Sequence, residues 1–376
     1  MKIALLTDGI YPFVIGGMQK HSFYLAKYFA LNKIEVELYH VLTPDFEEKK
    51  DLIFSDEEKK HIHFHSIPFP VLDKLPGHYI RESYAYSAAI VEQLQRNPVV
   101  DFVYIQGLSG MKLLENKEAY DAPVGINFHG LEMFQPAANF KNKLEQYFFR
   151  APVLKSLKKA DVVFSLGGKL TKILEKQGVP GGRILQIPIG IDRSWIRESP
   201  LIVNEKRKFV FIGRYERRKG IEELTSVLKK LVGAKDFSFE FIGDIPSEKQ
   251  IKAKQINYHG KISEMHTIKE LLSGADVLVC PSYSEGMPTV ILEAMASGVA
   301  ILASDVGAVS EQVNESNGIL VQPGNIDELE RAMQAFMAMD SRKLCEMKKN
   351  GISRIEEDFL WERIIVKTIE SIAKVA

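Results

Sequence analysis

Two glutamates eight positions apart, Glu285 and Glu293, flank the run Gly286-Met287-Pro288-Thr289-Val290. The apolar stretch Val277–Cys280 before them reads as a buried strand, and Pro288 reads as the first position of a helix that ends at Gly298. Proline suits that place because its missing N–H would have no partner there. Glycine suits the left-handed cap at the other end. The N–H groups of Thr289, Val290 and Ile291 then point out of the helix start with the positive end of its dipole, and such a site takes an anion, phosphate above all. At 1.5 Å of rise per residue the two carboxylates stand on the order of 10 Å apart. A nucleotide-sugar has that reach, with hexose at one end, ribose at the other and diphosphate over the helix start. Carboxylates accept hydrogen bonds from the hydroxyls of both sugars. Singly, Glu285 could instead cap the helix and Glu293 could be solvated.

A second basic segment, Gly213-Arg214-Tyr215-Glu216-Arg217-Arg218-Lys219-Gly220, follows the apolar run Phe209–Ile212. Arg214 and Lys219 suit a diphosphate, one as a planar fork and the other as a point charge. In an α/β sheet this segment and the Glu285 segment both leave the carboxyl edge, so they should converge. Gly16-Gly17, before a helix expected from about Gln19, would let backbone approach a ligand. No Gly-x-Gly-x-x-Gly is present, which disfavours a nicotinamide cofactor. His129, with Gly130 after it, closes another strand at the edge where ligands bind in open α/β sheets, though a structural role is an alternative. His61, His63 and His65 share one face of a strand. We expect Ile62 and Phe64 on the core side and these imidazoles in solvent rather than on a metal. Cys280 reads as an inert buried thiol.

These residues must be positioned by a fold, and the fold is legible as alternation. Strand-like runs fall at 3–7, 36–42, 62–67, 102–106, 124–128, 162–166 and 184–187, then at 209–213, 239–243, 256–259, 277–280, 300–303 and 319–321, with helical patterns between them. Such alternation signals parallel α/β sheets, and 376 residues carrying this many strands suit two domains. The polar stretch 191–208 separates them. Lys and Arg total 49, as do Asp and Glu, so no global field favours nucleic acid or membrane. Locally, Lys141, Lys143, Arg150, Lys155, Lys158 and Lys159 interleave with Phe140, Tyr147, Phe148, Phe149, Val153 and Leu154. That segment is either a surface for anionic lipid or a solvated helix face. Two cysteines fit a reducing compartment, and no apolar run approaches the ~18 residues of a membrane span, so we expect a cytoplasmic protein.

The pattern Gly-Arg-x4-Lys-Gly at 213–220 followed by Glu-x7-Glu at 285–293 resembles the retaining glycosyltransferases of family 4. Gly16-Gly17, His129-Gly130, Gly190-Ile191-Asp192 and Phe359-Leu360-Trp361 support the resemblance over the whole chain. It implies an α/β protein of GT-B fold, with two Rossmann-like domains facing a cleft. The first, acceptor-side domain would cover 1–195, with the C-terminal helix 359–376 packing back on it, and the second, donor-binding domain would cover 205–357. The resemblance further implies that Arg214 and Lys219, after Gly213, bind diphosphate and that Glu293 binds ribose. Glu285 and the backbone of Gly286, Met287 and Pro288 would hold the transferred sugar, while Thr289 and Val290 amides hold phosphate. Backbone near Ile262 would read the base, His129 would stand beside the reacting sugar, and Gly16-Gly17 would close over the phosphates. Departures from the family pattern are Gly286-Met287-Pro288, Gly307-Ala308-Val309-Ser310-Glu311 and Ile189.

The expected reaction is transfer of a hexose-type sugar from a nucleoside-diphosphate donor, UDP-sugar favoured, to a saccharide or lipid-linked acceptor with retention. Cell-envelope polysaccharide or glycolipid synthesis is the expected setting. We expect no metal and no cofactor, because cations and the helix start carry the leaving charge as an oxyanion hole does. We find no obvious carboxylate nucleophile near His129, which favours front-face departure. A nucleotide-sugar epimerase, and an inactive sugar-nucleotide-binding subunit, are the alternatives. No nucleic-acid partner is expected, and peripheral membrane contact is left open.

Overall fold

The computed structural model describes residues 1–376 except 73–74, 97–98, 234–235 and 263. The chain folds as two compact units. Met1–His129, Leu144–Gly190 and Trp361–Ala376 form the first, and Gly130–Lys143 with Ile191–Leu360 form the second.

In the first unit, β1 (Lys2–Leu6), β2 (Glu35–Val41), β3 (Ile62–Ile67), β4 (Phe102–Gln106), β5 (Val124–Asn127), β6 (Val162–Ser165) and β7 (Ile184–Gln186) make one sheet. Its order is β3-β2-β1-β4-β5-β6-β7, with every pairing parallel. Ile3, Ala4, Leu5 and Leu6 are consecutive and fully buried, as a parallel strand covered on both faces requires. The glycine pair leads into α1 (Gly17–Leu31), which begins two residues ahead of the expected Gln19. Helix α2 (His78–Leu94) follows β3, and α3 (Phe140–Lys159), which belongs to this unit from Leu144 onward, follows β5. The C-terminal helix of this unit is tied to α1 by Trp361, whose buried ring stacks on Tyr24 and Tyr28 at 5.8 and 5.7 Å. Gly190 permits this packing, since a Cβ there would lie 2.6 Å from the indole. His61 and His63 pair with Glu35, and His65 with Glu37, across the β2–β3 edge. Ile62 is buried, and among the described residues no group of three ligating side chains could hold a metal ion.

In the second unit, β8 (Lys208–Ile212), β9 (Ser238–Ile242), β10 (Ile256–Tyr258), β11 (Val277–Cys280), β12 (Ala300–Ser304) and β13 (Gly318–Val321) follow the order β10-β9-β8-β11-β12-β13, again all parallel. Phe209, Phe211, Phe239 and Phe241 fill the core against α4 (Ile221–Leu231). Helix α5 (Thr289–Ala296) follows β11, and α6 (Ser341–Arg354) follows the last strand. This is the doubly wound order, which reverses direction between β8 and β11. Ligands in such sheets bind outside the carboxyl ends of the strands at that reversal. The chain segments leaving β8 and β11 are Gly213–Gly220 and Pro281–Pro288.

Candidate functional site

The two segments at the reversal are bonded to each other. Tyr283 donates its N–H to the Arg218 carbonyl at 2.8 Å. Gly220 is left-handed at φ 68°, and a Cβ on it would stand 1.9 Å from the Pro281 carbonyl, so only glycine lets the segments approach this closely. Gly307 does the same beneath Glu285, where φ is 54° and a Cβ would meet the Glu285 carbonyl at 2.1 Å. The neighbouring Ala308 N–H bonds the Gly286 carbonyl at 2.8 Å. Gly213, at the end of β8, packs against Gly243, which follows β9.

Across this junction Lys219 Nζ donates to Glu285 Oε1 at 2.6 Å, and the Ser282 hydroxyl donates to the same oxygen at 2.7 Å. Arg218 reaches Glu285 Oε2 at 3.5 Å and the Ser284 carbonyl at 3.1 Å. Burial by itself would raise the Glu285 carboxyl, but Lys219 and Arg218 hold it below the ordinary glutamate range. The site therefore keeps a buried, ionised carboxylate against two half-buried cations. Arg214 is placed elsewhere in this structure. It pairs with Glu216 at 2.7 Å with its side chain 80% exposed, while Arg218 occupies the inward place. Arg217 is structural, clamped to Glu223 at 2.7 and 2.5 Å and lying over the Tyr283 ring.

Helix α5 starts one residue later than the sequence suggests. Pro288 is extended (ψ 119°) and precedes the helix, and the Ile291 N–H bonds the Pro288 carbonyl at 3.1 Å. That bond corrects the expectation of three outward N–H groups, because Ile291 turns inward and leaves Thr289 and Val290 to open the helix. Gly298 is left-handed at φ 75°, one residue past the Ser297 cap. Met287 and Glu293 are buried, with Glu293 in the second turn of α5. Ile262 lies half-buried in the segment after β10, at the same carboxyl edge. Cys280 is inert, since burial pushes its thiol up to about 11.

Two further residues of this unit join the cluster. Gln135 donates its amide to the Glu285 carbonyl at 2.6 Å and to the Gly130 carbonyl, and its oxygen accepts the Glu285 N–H at 3.4 Å. Glu132 is half-buried in the field of Arg218, Lys219 and Glu285; burial raises its carboxyl, which the two cations partly oppose. No local pattern marks either residue. The basic run by itself does not single out Arg218, despite its place beside Lys219.

In the first unit His129 takes a left-handed backbone (φ 56°) fastened by its own N–H to Asn127 Oδ1 at 2.8 Å. Its Nε2 lies 2.7 Å from Gln106 Oε1, the Gln106 amide lies 3.0 Å from His21 Nδ1, and the two imidazoles meet edge to face at 4.8 Å. A neutral imidazole that donates from Nε2 keeps a lone pair on Nδ1, so Gln106 sets the tautomer of His129. Burial pushes His129 down to about 3 and also lowers His21, next to His129. Gly16 is extended, with Gln19 filling the space a Cβ would need, whereas the space around the Gly17 Cβ position is open. Gln19 also bonds Asp8 at 2.7 Å, and burial raises the Asp8 carboxyl.

Two family models match the chain. "Glycosyltransferase Family 4" matches residues 15–195, and "Glycosyl transferases group 1" matches residues 192–354. A proposed teichuronic acid biosynthesis glycosyltransferase, TuaC of Bacillus subtilis, is 28% identical over 66% of this chain, and the match spans 64% of TuaC's own length. The sucrose-phosphate synthase structure from Thermosynechococcus elongatus superposes with a TM-score of 0.78 at 19% identity, covering 100% of this chain and 98% of that one. Anabaena Alr3699/HepE, solved in complex with UDP and glucose, superposes with a TM-score of 0.72 at 17% identity over 100% of both chains.

Proposed function

The chain belongs to glycosyltransferase family 4 and has the GT-B fold, and from that premise we propose that it transfers a hexose-type sugar, with retention, from a UDP-sugar to a saccharide or lipid-linked acceptor. The observation that carries this reading is the Lys219–Glu285 pair, set at the β8/β11 reversal before the start of α5. Glu285 would accept hydrogen bonds from the transferred sugar. Lys219, Arg218 and the Thr289 and Val290 amides would bind the diphosphate and stabilise its growing charge as the sugar departs, without a metal. Arg214, 80% exposed on its side chain, would leave Glu216 to reach the same diphosphate. Glu293 would hold ribose, and backbone near Ile262 the base. His129, neutral with its tautomer set by Gln106, would hydrogen-bond the sugar as it leaves.

Two of the similar proteins support the finer points. Alr3699/HepE was solved with UDP and glucose, which supports a UDP-hexose donor. TuaC is assigned to teichuronic acid biosynthesis, which supports an envelope polysaccharide or glycolipid as product. Both cysteines are free, and we place the reaction in the cytoplasm, where thiols stay reduced.

The test is incubation of the protein with UDP-hexoses, with and without saccharide and lipid-linked acceptors and with and without a chelator, followed by determination of the product's anomeric configuration. An acceptor-dependent product with retained configuration, unaffected by the chelator, is expected. Conversion of the donor when no acceptor is present would identify an epimerase instead.

A further inference from the structure

Helix α3 is apolar on two opposite faces, and only one of them is used by the fold. Val153, Ser156 and Leu157 are buried against the first unit. Leu144, Tyr147 and Phe148 are exposed at 53%, 65% and 51%. At 3.6 residues per turn these three fall within an arc of about 100° on the side away from the buried face. Lys155, Lys158 and Lys159 continue the same outward face toward the end of the helix and are exposed. Within Phe140–Lys159 six residues are Lys or Arg and one is acidic, in a chain whose totals balance at 49 each. A cleft of about 200 Å³, lined by Met111, Leu114, Pro152 and Lys155 among others, opens beside the lysine end.

We propose that this face of α3 docks the protein on a bilayer that carries anionic lipid. Large aromatic and aliphatic side chains left in water mark an interaction surface. Local positive charge in an otherwise balanced chain selects an anionic one. Tyr147 and Phe148 would enter the headgroup boundary, and Lys158 would meet lipid phosphates. Lys155 and Lys159, paired at 2.6 and 2.7 Å with Glu115 and Glu118, would release these partners or share them with lipid. Helix α3 follows β5, on the carboxyl edge that also carries His129, so docking would bring that edge to acceptors held in the membrane. This last step rests on the function proposed above; the docking itself does not.

The experiment is flotation of the full-length protein with vesicles of phosphatidylcholine alone and of phosphatidylcholine mixed with phosphatidylglycerol. Flotation with the mixed vesicles only, reversed by high salt, is expected. Leu144→Ser/Phe148→Ser should abolish it, and Lys158→Glu should weaken it by fivefold or more, on the order expected for one cation near an anionic surface. Both variants change exposed side chains, and an unchanged melting temperature would show that the fold is intact. Failure of the wild type to float with mixed vesicles, equal flotation with both vesicle types, or undiminished flotation of the Leu144→Ser/Phe148→Ser protein would each overturn the proposal. A concentration-dependent dimer lost in that variant would also overturn it, by assigning the face to a second copy. Flotation needs no activity, so its failure is separate from failure of the transferase reading.

Discussion

Lys219 and Glu285 stand 66 residues apart in the chain and meet at 2.6 Å. Their pairing joins the segment after β8 to the segment after β11 at the point where the strand order of the second unit reverses. The cation to which we assign phosphate and the carboxylate to which we assign sugar hydroxyls are thereby fixed side by side.

Removing the cation should damage the chemical step most. Lys219→Ala should lower kcat by about 10²–10³, the loss seen when one preorganised charge stabiliser is deleted. Arg218→Ala should lower it less, because its guanidinium stands farther from Glu285. Steady-state kinetics on the two variants gives the ranking, and equal or reversed losses would contradict the geometry.

Gln135 is the residue that holds the Glu285 backbone on both its N–H and its carbonyl. Gln135→Ala leaves both groups buried and unpaired, for which a loss of about 1–3 kcal/mol is expected. Chemical denaturation measures it. Because the loop that presents Glu285 would loosen, kcat should fall as well.

Much of this architecture can be read from residue order alone, for reasons that differ by element. Continuous apolar runs such as Ile3–Leu6 and Val277–Cys280 specify strands covered on both faces, and glycines at 213, 220 and 298 mark the ends of elements, so the motifs fall at the carboxyl edges where the structure has them. Side-chain choice between neighbours is not local. Arg214 and Arg218 both lie in the same basic loop, and only the path of the chain between Glu216 and Gly220 turns Arg218 toward Glu285. Gln135 meets Glu285 across 150 residues, a contact that no periodicity announces. The inward turn of Ile291 depends on the extended Pro288, whereas proline statistics favour the first helical position.

Lys348 of α6 is fully buried and donates to Asp276 Oδ1 at 3.0 Å, to the Ala275 carbonyl at 3.0 Å and to the Ile202 carbonyl at 2.6 Å. Lys348→Met takes the paired cation from a buried carboxylate that keeps its hydrogen bonds from Asn204 and from the Lys208 N–H, and a destabilisation approaching about 3 kcal/mol is expected. A urea transition at an unchanged midpoint would show that the bonds from Asn204 and Lys208 suffice to hold the Asp276 charge.

His129 and His21 are kept neutral by burial, whereas in the unfolded chain they titrate near 6.5. Below that pH the unfolded state binds protons that the native state refuses, so stability falls as pH falls. Each histidine contributes about 1.4 kcal/mol per pH unit, and for His129 the loss ends near pH 3, where its native form titrates. His129→Asn, which tolerates the left-handed backbone, should flatten the decline. Denaturation curves collected from neutral to acid pH compare the two proteins.

Titration calorimetry with UDP-hexoses tests whether a nucleotide-sugar is held at the Lys219–Glu285 junction, as proposed above. Binding of UDP-glucose or another UDP-hexose by the wild-type chain is expected, weakened by tenfold or more in Lys219→Ala, a factor worth about 1.4 kcal/mol. Unaltered affinity in Lys219→Ala, with the protein folded, would contradict the claim and move the donor site away from this edge.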